Sequence, residues 1–266
     1  MTGADNRPAI FITGAAAGIG RATAERFSRA GWLVGLYDVN AAGVQELART
    51  LQPSIAGALD VTDVEGFRSA LAAFFEAAGG RLDVLFNNAG IVAVDDFEKV
   101  DLSRHHAVID VNFKGVVNGC HLALPYLKRT RGARVISMCS ASAIYGAPAF
   151  TVYSATKFAV RGLTEALNVE WARHGITVMD ILPLFVDTPM VRKFETAPKS
   201  METLGLRLRP DDIAAVVWRA AQWPARGWAW PRVHWLPGMQ AWALYLATKF
   251  LPVWMNRYTT RKVTGY

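Results

Sequence analysis

An α/β fold, a doubly wound parallel sheet with helices on both faces in a single domain, is predicted by three features of the sequence. Short apolar runs bounded by glycine or aspartate recur along the chain, stretches of helical periodicity separate them, and a glycine-rich turn joins the first run to the first helix. The runs "AIFITG" (9–14), "WLVGLYD" (32–38), "AGALDV" (56–61), "LDVLFNNAG" (82–90), "ARVISMCS" (133–140) and "ITVMDILP" (176–183) are apolar on alternate and intervening positions alike, as strands buried on both faces are. Between them "IGRATAERFSRAG" (19–31), "VEGFRSALAAFFEAAGG" (64–80) and "HHAVIDVNFKGVVNGCHLALPYLKR" (105–129) carry helical periodicity, and a further helix is expected over 153–173. Right-handed crossovers between parallel strands follow from this alternation. "PDDIAAVVWRAAQ" (210–222) opens on proline and paired aspartates, a helix N-terminus signal. "GWAWPRVHWLP" (227–237) has room for one more strand, with Pro231 suited only to an edge or an interruption. No internal repeat or linker divides the 266 residues, which are enough for one substantial core.

Hydrophobic residues make up 52% of the chain and charged ones 19%, so a folded globular protein is expected throughout. The formal net charge is +7, but the arginines and lysines are scattered and no nucleic-acid-binding module is present, so no nucleic-acid partner is expected. Cys120 and Cys139 are too few for a disulfide scaffold and read as small buried thiols. His105, His106, His121, His174 and His234 have no ligand spacing, so no metal is assigned. The segment before the first strand lacks an apolar signal core, which makes a cytoplasmic location the expectation.

"TGAAAGIG" places Gly14, Gly18 and Gly20 between the first strand and the first helix. Such a turn aims backbone N–H groups and the positive end of a helix dipole at an anion, and residues without side chains let a phosphate come close. This is the Rossmann-like signature of dinucleotide binding, and its context of strand before and helix after supports it here. Asp38 ends the second strand, where a carboxylate accepts hydrogen bonds from adenosine ribose hydroxyls and repels a 2′-phosphate. No basic residue stands in Ala15–Ala17 or just after Asp38, so NAD is expected over NADP. Tyr153 and Lys157, four apart, share one helix face. Arg21, just past the glycines, is expected to face solvent or a carboxylate.

Together these motifs resemble the short-chain dehydrogenase/reductase family. "TGAAAGIG", "NNAG" (87–90), Asn112, Ser140 and the Tyr153/Lys157 pair occur in the family's order and spacing over about residues 8 to 190. The resemblance implies hydride transfer between a nicotinamide and a carbonyl carbon, with Tyr153 giving or taking the proton on oxygen. A nearby cation favours phenolate by Coulomb attraction, so Lys157 is expected to lower the Tyr153 pKa and to hold the nicotinamide ribose hydroxyls. Ser140 would orient the substrate oxygen, with Ser137 and Ser142 as competing assignments. Asn112, an odd residue mid-helix, would disturb the helix and hold a water that completes a proton relay. Cofactor contacts are implied for Ile19 in the glycine motif, for Asp60 and Val61 on the adenine side, for Asn88, Ala89 and Gly90 beside the adenosine ribose, and for Val186 and Thr188 at the nicotinamide amide. The chain departs from the family at Leu184, where glycine is usual after the proline, which leaves a side chain to narrow the pocket or shift the loop.

By the same resemblance, residues 184–266 would form the substrate-pocket region and C-terminal segment of one domain spanning 1–266. Seven of the nine tryptophans lie after residue 217, and "WLPGMQAWALYLATKFLPVWMNRYTTRK" (235–262) is aromatic and apolar with a basic end. That run suits a lid over an apolar substrate, a subunit contact or an interfacial helix, while Gln240, Lys249 and Pro252 interrupt any transmembrane span. The expected activity is interconversion of a small-to-medium apolar secondary alcohol and its ketone with NAD(H). A homo-oligomer, dimer or tetramer, is expected through the helices around 105–129 and 153–173. The alternatives are a non-catalytic cofactor-sensing regulator, which should lack the tyrosine or the lysine, a sugar-nucleotide epimerase, which should carry a larger C-terminal substrate domain, and a membrane-peripheral dehydrogenase acting on a lipid-like substrate.

Overall fold

The first strand, β1 (Ala9–Thr13), is buried along its whole length because it runs through the middle of the sheet. Its side chains alternate: Phe11 enters one core, Ile10 and Ile12 the other. The computed structural model of the chain describes residues 7–194, 197–224 and 232–266. After β1 come α1 (Gly18–Arg29), β2 (Leu33–Asp38), α2 (Ala41–Thr50), β3 (Ser54–Ala58), α3 (Val64–Ala77), β4 (Val84–Asn87), α4 (Leu102–Ile109), α5 (Gly115–Leu127) and β5 (Arg134–Met138). They are followed by α6 (Thr151–Trp171), β6 (Thr177–Ile181), the short α7 (Pro189–Arg192) and α8 (Lys199–Leu204), α9 (Pro210–Gln222), β7 (His234–Trp235), α10 (Met239–Phe250) and α11 (Val253–Thr264).

Seven strands pair in parallel in the order β3-β2-β1-β4-β5-β6-β7. The order reverses between β1 and β4, and a crevice opens at the carboxyl ends of the strands there, which is where α/β sheets bind ligands. Two cores flank the sheet. Phe67 and Phe74 of α3, Leu127 of α5 and Val160 of α6 cover one face, and Phe27 of α1, Val44 of α2 and Val217 of α9 cover the other.

Several expected boundaries move. The third strand is Ser54–Ala58 rather than 56–61, since pairing of Val34 with Ser54 through Asp38 with Ala58 ends it before Asp60 and Val61, which fall in the following turn. The helix expected over 105–129 begins at Leu102 and is interrupted by one π-helical turn, Asp110–Lys114. Of the strand sought in 227–237, β7 keeps two residues at the sheet edge, and Trp228, Trp230 and Pro231 lie outside the described residues. The run 235–262 breaks at Pro252 into α10 and α11, since proline cannot continue the first helix. Cys120 and Cys139 are buried free thiols; burial pushes the Cys120 pKa up to about 12 and raises that of Cys139 as well.

Edge strand β7 is clasped by charge. His234 Nδ1 lies 2.7 Å from Asp180 Oδ1 in β6, and Nε2 lies 2.9 Å from Glu165 Oε1 in α6. Only the doubly protonated imidazolium donates from both nitrogens. Burial alone would lower the His234 pKa, but the hydrogen bond and charge of Asp180 outweigh it and hold it above its ordinary value. The fully buried Asp180, whose Oδ2 has no partner, is pushed up to about 6 by burial against the pull of His234. Arg161 Nε also binds Glu165 Oε1, at 3.1 Å.

Two expectations follow from this packing. Phe11 stacks on Tyr37 at 4.1 Å between centroids and meets Phe74 edge-on at 5.4 Å, so Phe11→Ala should cost about 3–5 kcal/mol, read as a lower denaturant midpoint at unchanged slope. Because the folded pKa of His234 is raised, the stability it contributes is fully present below its ordinary value of 6.5 and is lost as pH rises through the folded value. Denaturant titrations should therefore show wild-type stability declining across that range and the double variant His234→Gln/Asp180→Asn, which also removes the carboxyl that burial pushes up to about 6, nearly flat; parallel curves would refute the charged clasp.

Candidate active site

The turn leaving β1 is built for close approach. Gly14 and Gly18 have φ of 68° and 54°, in the left-handed region that side chains disfavour. A Cβ on Gly14 would sit 2.9 Å from the Ala89 Cα, and one on Gly20 only 2.0 Å from the Gly14 carbonyl oxygen. Helix α1 starts at Gly18 with no side chain capping it, which leaves first-turn N–H groups to bind an anion.

Thr13 ties this turn to the one after β4. Its Oγ1 accepts from the backbone N–H groups of Asn88 (3.0 Å) and Ala89 (3.1 Å), and the Asn88 amide donates to the carbonyls of Thr13 and Gly14, both at 3.0 Å. The two strands at the reversal of the sheet thus end in one hydrogen-bonded unit. Thr13 was not among the expected site residues. Its signal was its place as the last residue of β1, directly before the glycine turn.

Asp38 reaches the same turn from β2: Oδ2 accepts from the Ala16 N–H (3.0 Å) and Oδ1 from the Asn40 N–H (2.9 Å). A cleft of about 290 Å³ runs from here to the end of β5. Of the expected site residues, Gly14, Gly18, Ile19, Asp38, Asn88, Ala89, Gly90, Ser140, Tyr153, Lys157, Val186 and Thr188 line it. Gly20, Asp60, Val61 and Asn112 do not. Gly20 packs under the turn, Asp60 Oδ1 accepts from the Thr62 N–H and hydroxyl at 2.9 and 2.7 Å, and Val61 lies against Gly115 while its carbonyl accepts from the Asn118 amide. Arg21 pairs with Glu25 at 2.9 Å. Among the described lining residues Lys157 is the one lysine, and no arginine joins it.

The π-helical turn at Asp110–Lys114 carries the helix disturbance expected at Asn112. The Asn112 side chain is completely buried. Its Oδ1 accepts from the Ile91 N–H and its Nδ2 donates to the Ile91 carbonyl, both at 2.8 Å, and Nδ2 lies 3.4 Å from Thr156 Oγ1. The amide is thus committed to protein partners and staples the segment after "NNAG" to α6, one residue from Lys157.

At the other end of the cleft, Lys157 Nζ donates to the Met138 carbonyl at 2.8 Å and sits 5.4 Å from the Tyr153 ring centroid. Ser140 caps the turn after β5: its Oγ accepts from the Ser142 N–H at 3.1 Å and lies 3.1 Å from Ser142 Oγ. Ser137 is buried within β5 and does not line the cleft, whereas Ser142 does. The expected lowering of the Tyr153 pKa by Lys157 is not what this arrangement produces. Burial pushes the phenol up to about 12, a hydrogen bond with Ser140 opposes that, and burial lowers Lys157 itself. The water-poor surroundings that would strengthen the field of Lys157 penalise both charges at once.

The cleft wall beside Tyr153 is apolar. Phe150 lies about 6 Å, centroid to centroid, from each of Tyr153, Phe185 and Phe194. Ala149, at φ 64°, holds Phe150 there in a conformation non-glycine residues seldom adopt. Leu184, the departure noted above, lines the cleft and packs with Tyr145, Leu244 and Tyr245 in a third apolar cluster. Phe150, Phe185 and Phe194 had no motif to announce them, because their role depends only on where three separate segments converge.

The residues fit a nicotinamide dinucleotide, with a side-chain-free cradle under Gly14 and Gly18, an uncapped helix N-terminus, and Asp38 bordering the same cleft. Among the described residues no cluster of histidine, cysteine, aspartate or glutamate has the makings of a metal site. None of the described helices is long and apolar enough to cross a membrane.

Comparison with known proteins gives a consistent picture. The family profile of the short chain dehydrogenases matches residues 8–199. A 3-oxoacyl-[acyl-carrier-protein] reductase of Thermotoga maritima is 33% identical over 218 residues, covering 78% of this chain and 87% of the relative. A cyclohexanol dehydrogenase of Acinetobacter sp. is 29% identical over 223 residues, 82% of this chain and 88% of the relative. The crystal structure of a 3-ketoacyl-(acyl-carrier-protein) reductase from Brucella melitensis, complexed with NADH, superposes with a TM-score of 0.76 at 26% identity over 86% of this chain and 96% of that one. With a profile match over most of its length and relatives covering more than three quarters of it, the chain belongs to the short-chain dehydrogenase/reductase family of NAD(P)-dependent oxidoreductases acting on CH–OH groups.

Proposed function

We propose that the protein interconverts an apolar secondary alcohol and its ketone, with NAD(H) preferred over NADP(H). The observation that carries this reading is the meeting of Tyr153, Ser140 and Lys157 at the apolar end of a cleft whose other end is the glycine turn and Asp38.

Bound in that cleft, the nicotinamide would supply or accept the hydride. Gly14, Gly18 and the first turn of α1 would hold the pyrophosphate, Asp38 the adenosine ribose, Asn88, Ala89 and Gly90 the adjoining wall, and Val186 with Thr188 the nicotinamide end. Asp60 and Val61, outside the cleft, would serve the adenine only at its outer rim. Ser140 orients the substrate oxygen, and Tyr153 gives its hydroxyl proton to that oxygen in reduction or accepts one in oxidation. Lys157, held by the Met138 carbonyl, would supply positive charge beside the phenolate and would hold the ribose hydroxyls. Asn112 supports the relay by holding Ile91 and Thr156 in place.

A pKa pushed up to about 12 keeps Tyr153 protonated at neutral pH, the form that donates in reduction. The cyclohexanol dehydrogenase relative and the Phe150, Phe185 and Phe194 wall both favour an apolar substrate. The absence of a cation other than Lys157 among the described lining residues, with the Asp38 carboxylate at the ribose end, favours NAD.

Steady-state assays with NADH and NADPH across apolar ketones and secondary alcohols test the reading. Tyr153→Phe should lower kcat by about 10²–10⁴-fold while NADH binding stays within a few-fold; loss of binding in parallel, or unaltered turnover, would refute the role of Tyr153. Alcohol oxidation should accelerate with rising pH, since only the phenolate accepts the proton, and Lys157→Met should move that rise to still higher pH. Asp38→Ala should shift the ratio of NADPH to NADH efficiency upward by about tenfold or more, roughly 1.4 kcal/mol of relieved repulsion. An unchanged ratio would show that Asp38 does not select the cofactor.

A further inference from the structure

The charge of the chain is divided in a way its overall composition conceals. None of the 22 acidic residues lies beyond Asp212, whereas seven of the 29 lysines and arginines do. Residues 1–212 therefore carry no net formal charge, and the entire +7 resides in the last 54 residues, the segment that also holds seven of the nine tryptophans.

Four of those cations, Lys249, Arg257, Arg261 and Lys262, and two of the tryptophans, Trp242 and Trp254, lie on α10 and α11. On α10 the inward residues Ala241, Leu244 and Tyr245 join the apolar cluster that includes Leu184 and Tyr145 of the cleft wall. The outward residues Met239, Trp242, Leu246 and Phe250, spaced three and four apart, form an exposed stripe. After the break at Pro252, Val253 is exposed and α11 carries its own exposed run, Trp254, Arg257, Tyr258 and Arg261, at helical spacing, so aromatic and basic side chains alternate along that helix. Phe250 is 81% and Trp254 70% exposed. Lys249 and Lys262 flank the stripe, and none of Lys249, Arg257 and Lys262 pairs with an aspartate or glutamate among the described residues, while Arg261 Nε donates to the Tyr266 carbonyl oxygen at 3.2 Å. Lys249 instead lies over the Tyr245 ring at 5.7 Å.

We infer that this face of α10 and α11 docks on an anionic phospholipid surface. Tryptophan and tyrosine place an apolar ring and a polar edge at the boundary between acyl chains and headgroups, and long basic side chains extend to phosphates beside them. Each cation near an anionic leaflet adds to the attraction, and no acidic residue in the segment opposes it. The same charge disfavours a second copy of the chain as the occupant, because two such faces would bring cations against cations. The elements behind the face reach the cleft: α10 packs on Tyr145 and Leu184, and α11 on α8, where the Thr203 hydroxyl donates to the Val263 carbonyl at 3.2 Å and Ser200 lines the cleft. Beyond α11, the Tyr266 hydroxyl donates to Asp96. Docking would set the apolar end of the cleft beside the lipid.

Co-sedimentation with vesicles tests this on the full chain without using turnover, so its failure is distinct from failure of the proposed reaction. The protein should pellet with phosphatidylcholine vesicles containing phosphatidylglycerol, several-fold less with phosphatidylcholine alone, and progressively less as salt is raised. The double variant Phe250→Ser/Trp254→Ser should lose pelleting, and Arg257→Glu/Lys262→Glu should lose its dependence on phosphatidylglycerol, both with NADH binding unchanged as the check on folding. Protein that stays in the supernatant with the anionic vesicles would overturn the proposal. So would a concentration-dependent increase in particle size, measured without vesicles and abolished by Phe250→Ser/Trp254→Ser, with no pelleting of the wild type, since that result would assign the face to a second copy.

Discussion

Thr13 joins the two halves of the sheet at the one place where neighbouring strands lead their helices to opposite sides. Its hydroxyl takes the N–H groups of Asn88 and Ala89, and Asn88 returns two bonds to the Thr13 and Gly14 carbonyls. Such a junction is needed because the reversal of strand order leaves the ends of β1 and β4 without a crossover between them. With those ends held, the glycine turn and "NNAG" are bonded to each other at the floor of the cleft. Asp38 extends the same bracing to β2 by accepting from the Ala16 N–H.

A second brace runs from the middle of the chain. Asn112 forms both of its short bonds to one residue, Ile91, and reaches toward Thr156 beside Lys157. The π-helical turn is what lets a helix of this length offer a buried amide sideways to a loop. Lys157 in turn is held by the carbonyl at the end of β5. Lys157 and Asn112 are therefore placed by backbone carbonyl and N–H groups, while Ser140 also bonds the side chains of Ser142 and Tyr153. The electrostatic consequence is a compromise, since the burial that gives Lys157 and Tyr153 their fixed positions also works against charge on either.

The C-terminal elements show a different organisation. Edge strand β7 is too short to be held by ladder hydrogen bonds alone, and an imidazolium between Asp180 and Glu165 supplements them. Just beyond it, α10 divides its residues between the cleft wall and an outward aromatic stripe. Leu184 belongs to this arrangement. Where a smaller residue would leave the loop after β6 bare, its side chain connects the cleft to the helix that carries the exposed face.

Much of this was legible from the order of residues. Alternating strand and helix periods dictate the doubly wound sheet, because each apolar run must be covered on both faces, and "TGAAAGIG", Asp38, Tyr153 and Lys157 declare their chemistry by local spacing that a turn or one helix preserves. Other features depend on residues distant in the chain. The start of β3 at Ser54 came from its register against β2, the break between α4 and α5 from what Asn112 meets across the cleft, and the aromatic wall from Phe150, Phe185 and Phe194 arriving on separate loops. The pKa of Tyr153 belongs to this second group as well: the spacing to Lys157 places a cation nearby, but the extent of burial, which folding alone sets, reverses the direction that spacing suggests.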